Sequence, residues 1–177
     1  LISNPQNSSW TFKGEELPVE NRREFQAMLS QVLEKIYPKA PNIFNELINR
    51  DKPSAQATGA RNKLMNLMIS QVSKPDLGIE KFPPEKAMYR SVLRETNIHQ
   101  EVDGRWKFRK PSAGSSLLPA WERVEEFLAS TDDAAKPFTD INAELISPPY
   151  GVKAGLLPLL WLSVYNREVS WPCRMGR

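Results

Sequence analysis

YPKAPNIFNELINRDKPSAQATGARNKLMNLM, residues 37–68, sets two helix patterns against each other across a short polar corner. Pro41 suits a first helical turn, where its missing N–H leaves nothing unpaired, and it predicts a helix over 41–50. Asp51-Lys52-Pro53 breaks that helix, and Ser54 reads as the N-cap of a second, over 54–72. Asn45 and Asn49 lie four apart and share one helix face. Their amides suit bracing of the corner backbone, and Glu46 suits an ion pair with Arg50. Bracing is favoured here over ligand binding. Arg61 and Lys63 sit on the second helix and extend a basic face if they point the same way.

On the N-terminal side, residues 1–20 read as a polar tail with a short strand at Ser9 to Lys13. From Asn21 to Ile36 the apolar residues Phe25, Met28, Leu29, Val32, Leu33 and Ile36 recur at helical spacing, and Pro38 stops the helix. On the C-terminal side, Pro75 ends the second corner helix. Pro83-Pro84 then opens another, through about Thr96, with Met88, Tyr89, Val92 and Leu93 facing inward. Val102-Asp103-Gly104-Arg105 is a strong hairpin signal, because Asp-Gly accepts the positive φ angles of a tight turn. Along the second arm, Trp106 and Phe108 alternate with Arg105, Lys107 and Arg109, so one face is apolar and the other basic.

Ala113-Gly114-Ser115-Ser116 is a flexible joint. Leu118, Trp121, Val124, Phe127 and Leu128 mark a helix over 117–129, and Phe138, Ile141 and Leu145 a shorter one. Pro148-Pro149-Tyr150-Gly151 reads as a rigid turn. The helix expected after it, 152–166, is apolar on nearly every side and must be an interior element. Such a helix cannot read bases, which requires polar side chains on an exposed face.

The chain is 177 residues long, with 40% apolar and 25% charged residues, an ordinary globular balance. The expected architecture is mainly α: helical, with winged-helix-like elements and one small β-hairpin. The organisation expected is a tail at 1–20, a winged-helix-like domain at 21–112 with its hairpin near 98–110, and a helical subdomain at 113–177 packed on it. Net charge is +3, distributed unevenly: residues 50–110 hold thirteen Lys/Arg against seven Asp/Glu, a net of +6. That basic middle is a candidate face for double-stranded DNA, with an ordinary solvated surface as the simpler reading. Arg61, Lys63, Arg105, Lys107, Arg109 and Lys110 are its candidate nucleic-acid-binding residues.

The inventory for catalysis is thin. One Cys and one His, Cys173 and His99, leave no disulfide and no Cys/His metal cage, and each suits an ordinary structural role. Glu125-Glu126 and Asp132-Asp133 read as solvated acids. No phosphate-cradling Gly-rich Lys-Ser/Thr loop is present. The expectation is therefore a non-enzyme with no catalytic residue, no metal and no cofactor. No apolar run reaches membrane-spanning length, and a cytoplasmic setting is expected. The start, Leu1-Ile2-Ser3-Asn4, lacks Met and a signal-peptide layout, so the chain reads as a piece of a longer protein.

A resemblance adds to this reading. Tyr37-Pro38 with Pro41, Asn45 to Arg50, Ser54, Ala60-Arg61 and Leu64 resemble a segment of large bacterial P-loop ATPases. So do Pro83-Pro84-Glu85 with Tyr89, Gly104 with Trp106, and Pro148 to Val152 with Gly155-Leu156-Leu157-Pro158. Several of those ATPases belong to phage-defence clusters of the bacteriophage-exclusion type. Their similar region lies beyond the nucleotide-binding module. The resemblance, over about residues 10–165, implies an accessory, winged-helix-like region whose partner is an ATPase module in cis or in trans. It leaves the last seven residues, Trp171 to Arg177, unmatched.

Overall fold

In a computed structural model the described residues are 9–17, 19–50, 52–131 and 134–170. They form a mainly α fold in two compact units, Leu1–Pro38 and Lys39–Arg177.

In the first unit, β1 (Trp10–Phe12) pairs antiparallel with β2 (Glu15–Leu17). Only the first of these strands was expected. Lys13 and Gly14, at φ 53° and 85°, turn the chain between them. Helix α1 (Arg22–Ile36) starts at Asn21, whose side chain accepts from the N–H groups of Arg23 and Glu24. That satisfies two of the four donors a helix leaves open. The Trp10 and Phe25 rings meet at 4.4 Å between centroids. No residue of α1 is fully buried.

The second unit contains α2 (Glu46–Asn49), α3 (Ala55–Ser70) and α4 (Pro84–Tyr89), which continues as a π turn over Arg90–Arg94. A hairpin of β3 (His99–Val102) and β4 (Arg105–Phe108) follows, then α5 (Leu118–Ala129), α6 (Phe138–Ile146) and α7 (Leu157–Ser170). The expected boundary near 112 falls inside this unit, because α7 packs on α3, β4 and α5.

The core forms where these faces meet. Met88, Tyr89, Val92 and Leu93 are buried, as are Trp121, Val124, Ile141, Leu145, Leu159, Leu160 and Val164. Each such side chain contributes about 1.5–3 kcal/mol on burial. Helix α3 contributes Ala57, Ala60, Leu64 and Met68 from one stripe. The expected interior helix is thus interior, with Tyr165 its one strongly exposed apolar residue among those described. Asp103 and Gly104 take φ of 54° and 73° at the hairpin turn, the Asp-Gly geometry that the sequence implies.

Three boundaries differ from expectation. The helix expected over 41–50 is four residues long, because Asn45 is extended (φ −151°) and its carboxamide oxygen caps Leu47 N–H at 3.0 Å. Capping at Asn45 outcompetes Pro41 as the helix start. The helix expected over 152–166 begins at Leu157. Residues 152–156 are instead an irregular segment, tied by Val152 N–H to Leu145 O at 2.8 Å. The helix expected from Pro83 to Thr96 widens after Tyr89. There Glu95 N–H bonds Arg90 O at 3.0 Å, and the Ser91 and Thr96 hydroxyls take the carbonyls of Ala87 and Val92.

A left-handed turn lies between α3 and α4. Asp76 and Leu77 have φ of 50° and 54°, and Gly78 follows at 67°. Left-handed geometry costs a non-glycine residue about 1–2 kcal/mol, so consecutive examples need strong anchoring.

Candidate functional site

The polar corner braces the fold. Asn45 donates from its amide to Ser91 Oγ at 2.8 Å, tying α2 to the π turn. Asn49 donates to Ile43 O at 2.7 Å, closing the loop that precedes α2. Both amides therefore hold backbone or neighbouring helix, although Asn49 reaches back to residue 43 and not forward to 51–53. Asp51 lies outside the described residues. Glu46 and Arg50 approach to 3.8 Å, but both are largely exposed, so their pairing contributes little. Ser54 caps α3 through Ala57 N–H at 3.2 Å. Gly155 comes against this corner from the far end of the chain: a Cβ there would stand 2.4 Å from Ile48 O. Lys39 N–H bonds Pro149 O at 3.1 Å beside it, and Gly151 takes φ 59°.

The six basic candidates do not form one free face. Lys63 pairs with the Glu85 carboxylate, which is 4% exposed in the first turn of α4. Burial pushes the Glu85 carboxyl up, but the Lys63 ammonium and a backbone N–H outweigh it and hold the group below its usual range. One Glu85 oxygen lacks a well-aligned hydrogen bond, so the contact with Lys63 is charge pairing at short range. Lys110 sits between Glu122 and Glu125 at 2.9 and 3.2 Å, and these acids raise its pKa. Lys107 is half-buried and 3.9 Å from Asp103. The Nε of Arg61 is buried without a hydrogen-bond partner. Arg105 in β4 and Arg109 just past it are exposed, and neither forms an ion pair among the described residues. Arg90, in the π turn, is exposed and likewise has no ion pair among the described residues.

Glu125, expected to be solvated, is half-buried: it accepts from Lys110 and Arg167, tying α5 to the segment after β4 and to the end of α7. Glu126 remains exposed, and Asp132-Asp133 and Cys173 lie outside the described residues. Arg123 grips Glu144 with two bonds at 2.6 and 2.8 Å, which joins α5 to α6. This pairing lowers the Glu144 carboxyl.

The most concentrated set of titratable groups surrounds the left-handed turn. Asp76 accepts from Arg94 at 2.5 Å and from Lys86 at 3.1 Å. Lys86 also donates to Ile79 O at 2.7 Å. Burial opposes ionisation of Asp76, but these two cations prevail and keep its carboxyl below 3.8. One layer deeper, His99 is 1% exposed, with Nε2 2.8 Å from Val72 O and Nδ1 2.9 Å from Tyr89 Oη. A carbonyl can only accept, so Nε2 carries the proton and Nδ1 accepts from the tyrosine. Burial pushes the His99 pKa down, with Val72 O and Asp76 acting in the opposite direction. Burial, then the Asp76 charge, pushes the Tyr89 phenol well above its usual value. Trp106 and Phe108 flank the imidazole at 5.1 and 5.0 Å. Every polar atom named in this set has a partner inside the protein. His99 is thus buried and bonded through both ring nitrogens, by contacts its polar sequence neighbours did not reveal.

Asp76, Lys86 and Arg94 carried no assignment in the sequence, and Tyr89 only that of an inward-facing helix residue. The only available signal was Pro75-Asp76-Leu77-Gly78, whose residue types mark a turn. Pro75 reads there as a helix stop, and nothing links Asp76 to cations ten and eighteen residues on. Among the described residues no cluster of His, Cys, Asp or Glu is placed to hold a metal ion, and no helix is long and apolar enough to cross a membrane. No protein-family model, no curated protein and no solved structure matches this chain.

Proposed function

We propose that this chain is a non-catalytic interaction module of a larger P-loop ATPase, of the kind found in phage-defence systems, with ATP bound and cleaved elsewhere. One observation carries the reading: the short motifs that resemble such ATPases meet in space. Gly155 lies against Ile48, Lys39 N–H reaches Pro149 O, and Asn45 is tied to Ser91, two residues past Tyr89. Residues that serve one structural joint belong to one scaffold, which supports treating the separate resemblances as one. The polar side chains at the joint are consumed in bracing, so its chemistry is that of a rigid platform. The α3–α4–hairpin order supports a winged-helix-like layout for that platform.

The genes flanking this one, or the remainder of its own reading frame, should encode a P-loop ATPase. The purified chain should neither bind a fluorescent ATP analogue nor hydrolyse ATP, and should co-elute with that ATPase in size-exclusion chromatography. ATP turnover by the chain alone, abolished by a substitution within it, refutes the proposal.

A second reading rests on exposed Arg105 and Arg109, two cations at the ends of the second hairpin strand, which comes after α4, its π turn and β3. It makes the hairpin a wing that grips duplex DNA through phosphates. A salt titration with fluorescent duplex DNA decides it. Affinity should fall steeply with salt and be lost in R105E/R109E, while K63E and K110E, already paired, should matter less. No binding at low salt removes this reading.

A further inference from the structure

We propose that residues 72–79 are a strained strap that opens locally, ahead of the rest of its unit, with the Asp76 carboxylate and the His99 imidazole as its catches. The geometry is unusual because three consecutive residues, Asp76, Leu77 and Gly78, hold left-handed φ angles and two of them are not glycine. Backbone held this way persists only where its surroundings over-determine it.

Here the anchors are few and identifiable. Leu77 is fully buried, which pins the middle of the strap. Lys86 and Arg94, from α4 and the π turn, hold the Asp76 carboxylate, and Lys86 also holds Ile79 O. His99, from β3, holds Val72 O at the strap's beginning. Within the strap Leu77 N–H bonds Lys74 O and Ile79 N–H bonds Asp76 O, each at 3.1 Å, at the two ends of the short turn Pro75–Gly78. The strap is therefore held by side chains from the next three elements, and each of its two catches, Asp76 in the strap and His99 in β3, can change charge.

The groups facing the strap determine how acid acts on it. Around Asp76 stand Lys86, Tyr89 and Arg94. Around His99 stand Tyr89 and, beyond it, Asp76. Protonation of His99 leaves Nε2 able to donate to Val72 O but takes away Nδ1 as an acceptor, so Tyr89 must turn its O–H away. Protonation of Asp76 removes the charge that two cations grip. The cost of charging the buried imidazole and the loss of the Asp76 charge both act against the closed state, loosening the strap as pH falls.

Hydrogen exchange followed by mass spectrometry or NMR tests this on the full chain, with rates normalised to intrinsic exchange at each pH. In D76N, which tolerates the left-handed φ but loses the charge, the Leu77 and Ile79 amides should lose protection about tenfold at pH 7. Protection in α5 and α7 should remain unchanged. G78A supplies an independent arm: it leaves both catches intact but places a Cβ at φ 67°, 3.2 Å from the Lys74 side chain. It should open the strap in the same local manner. The native chain should show selective loss at 72–79 as pH falls below 6.5, the ordinary histidine value. Should D76N fail to fold, G78A and the native pH series decide. Protection at 72–79 that changes only together with α5 and α7, or not at all, overturns the proposal.

Discussion

Replacing Gly155 by Ala adds one methyl group where two backbone segments already touch, and the consequence can be worked from the structure. The new Cβ would lie 2.4 Å from Ile48 O and 3.2 Å from Ile48 C and Cα. Ordinary contact begins near 3.4 Å, so the 151–156 segment and α2 must part by 1.0 Å, the difference between 3.4 and 2.4. No side-chain rotamer can absorb this, because the obstructing atoms are all backbone. Ile48 is 1% exposed, and opening the joint loosens its packing. Overpacking of this kind costs about 3 kcal/mol, the upper end of the usual range. The entropy that Ala removes from the unfolded chain offsets about 0.7 kcal/mol of that. The net loss is about 2 kcal/mol, a fall in Tm of roughly 4–8 °C for a unit of this size. Gly59→Ala is the matched control. It sits on the exposed side of α3 with no atom within 4 Å of the added Cβ, and should stabilise by about 0.5–1 kcal/mol. Urea unfolding read by tryptophan fluorescence and by far-ultraviolet circular dichroism measures both. If G155A is as stable as the native protein, or shifts in the same direction as G59A, the close approach at Ile48 is wrong and the convergence of motifs at that joint fails with it.

Asn45→Ala removes the α2 cap and the bond to Ser91 together, and should cost about 1–2 kcal/mol in the same urea assay. Glu46→Ala should change stability by less than about 0.5 kcal/mol, because its partner is solvated. Acid should weaken the fold in two stages. The folded pKa of His99 lies below its ordinary 6.5, so its contribution is complete above 6.5 and is lost as pH falls through the folded value. Glu85 and Glu144 lie below 4.5 and Asp76 below 3.8, so their contributions are complete above those values and disappear at lower pH. His99→Gln, which cannot titrate, should flatten the first stage and leave the second. A slope below pH 6.5 that persists in this variant would assign it to other groups.

How much of this was readable in advance depends on the range of the interaction that decides each feature. Period and punctuation located α1, α3, α5 and α6 to within a few residues, since apolar stripes, Ser54 and the prolines act within one or two turns. The Asp-Gly turn was equally local. The start of α7 was misplaced because its preceding residues are held by partners far away, Leu145 and Ile48, that no pattern in 152–156 displays. The π turn escaped for a related reason. Its apolar spacing is almost that of an α-helix, and the hydroxyls of Ser91 and Thr96 that accompany the widening look like ordinary helix-surface residues.

The basic middle third shows the same contrast at the level of charge. Composition gives residues 50–110 a net of +6, but a sum over sequence does not say which cations face one another's acids. Glu85 neutralises Lys63 across two helices, and Glu122 and Glu125 neutralise Lys110 from α5, outside residues 50–110. Asp76 takes two more, Lys86 and Arg94, for a turn whose backbone could not otherwise hold its shape. A cation already paired releases no net attraction for phosphate until its acid is displaced. The local excess of positive charge is thus partly a structural reserve, spent on joining α3, α4, the turn and α5. Among the described residues the exposed cations of this stretch without an ion pair are Lys52, Lys74, Lys81, Arg90, Arg105 and Arg109, and an anionic partner of this face has those to engage.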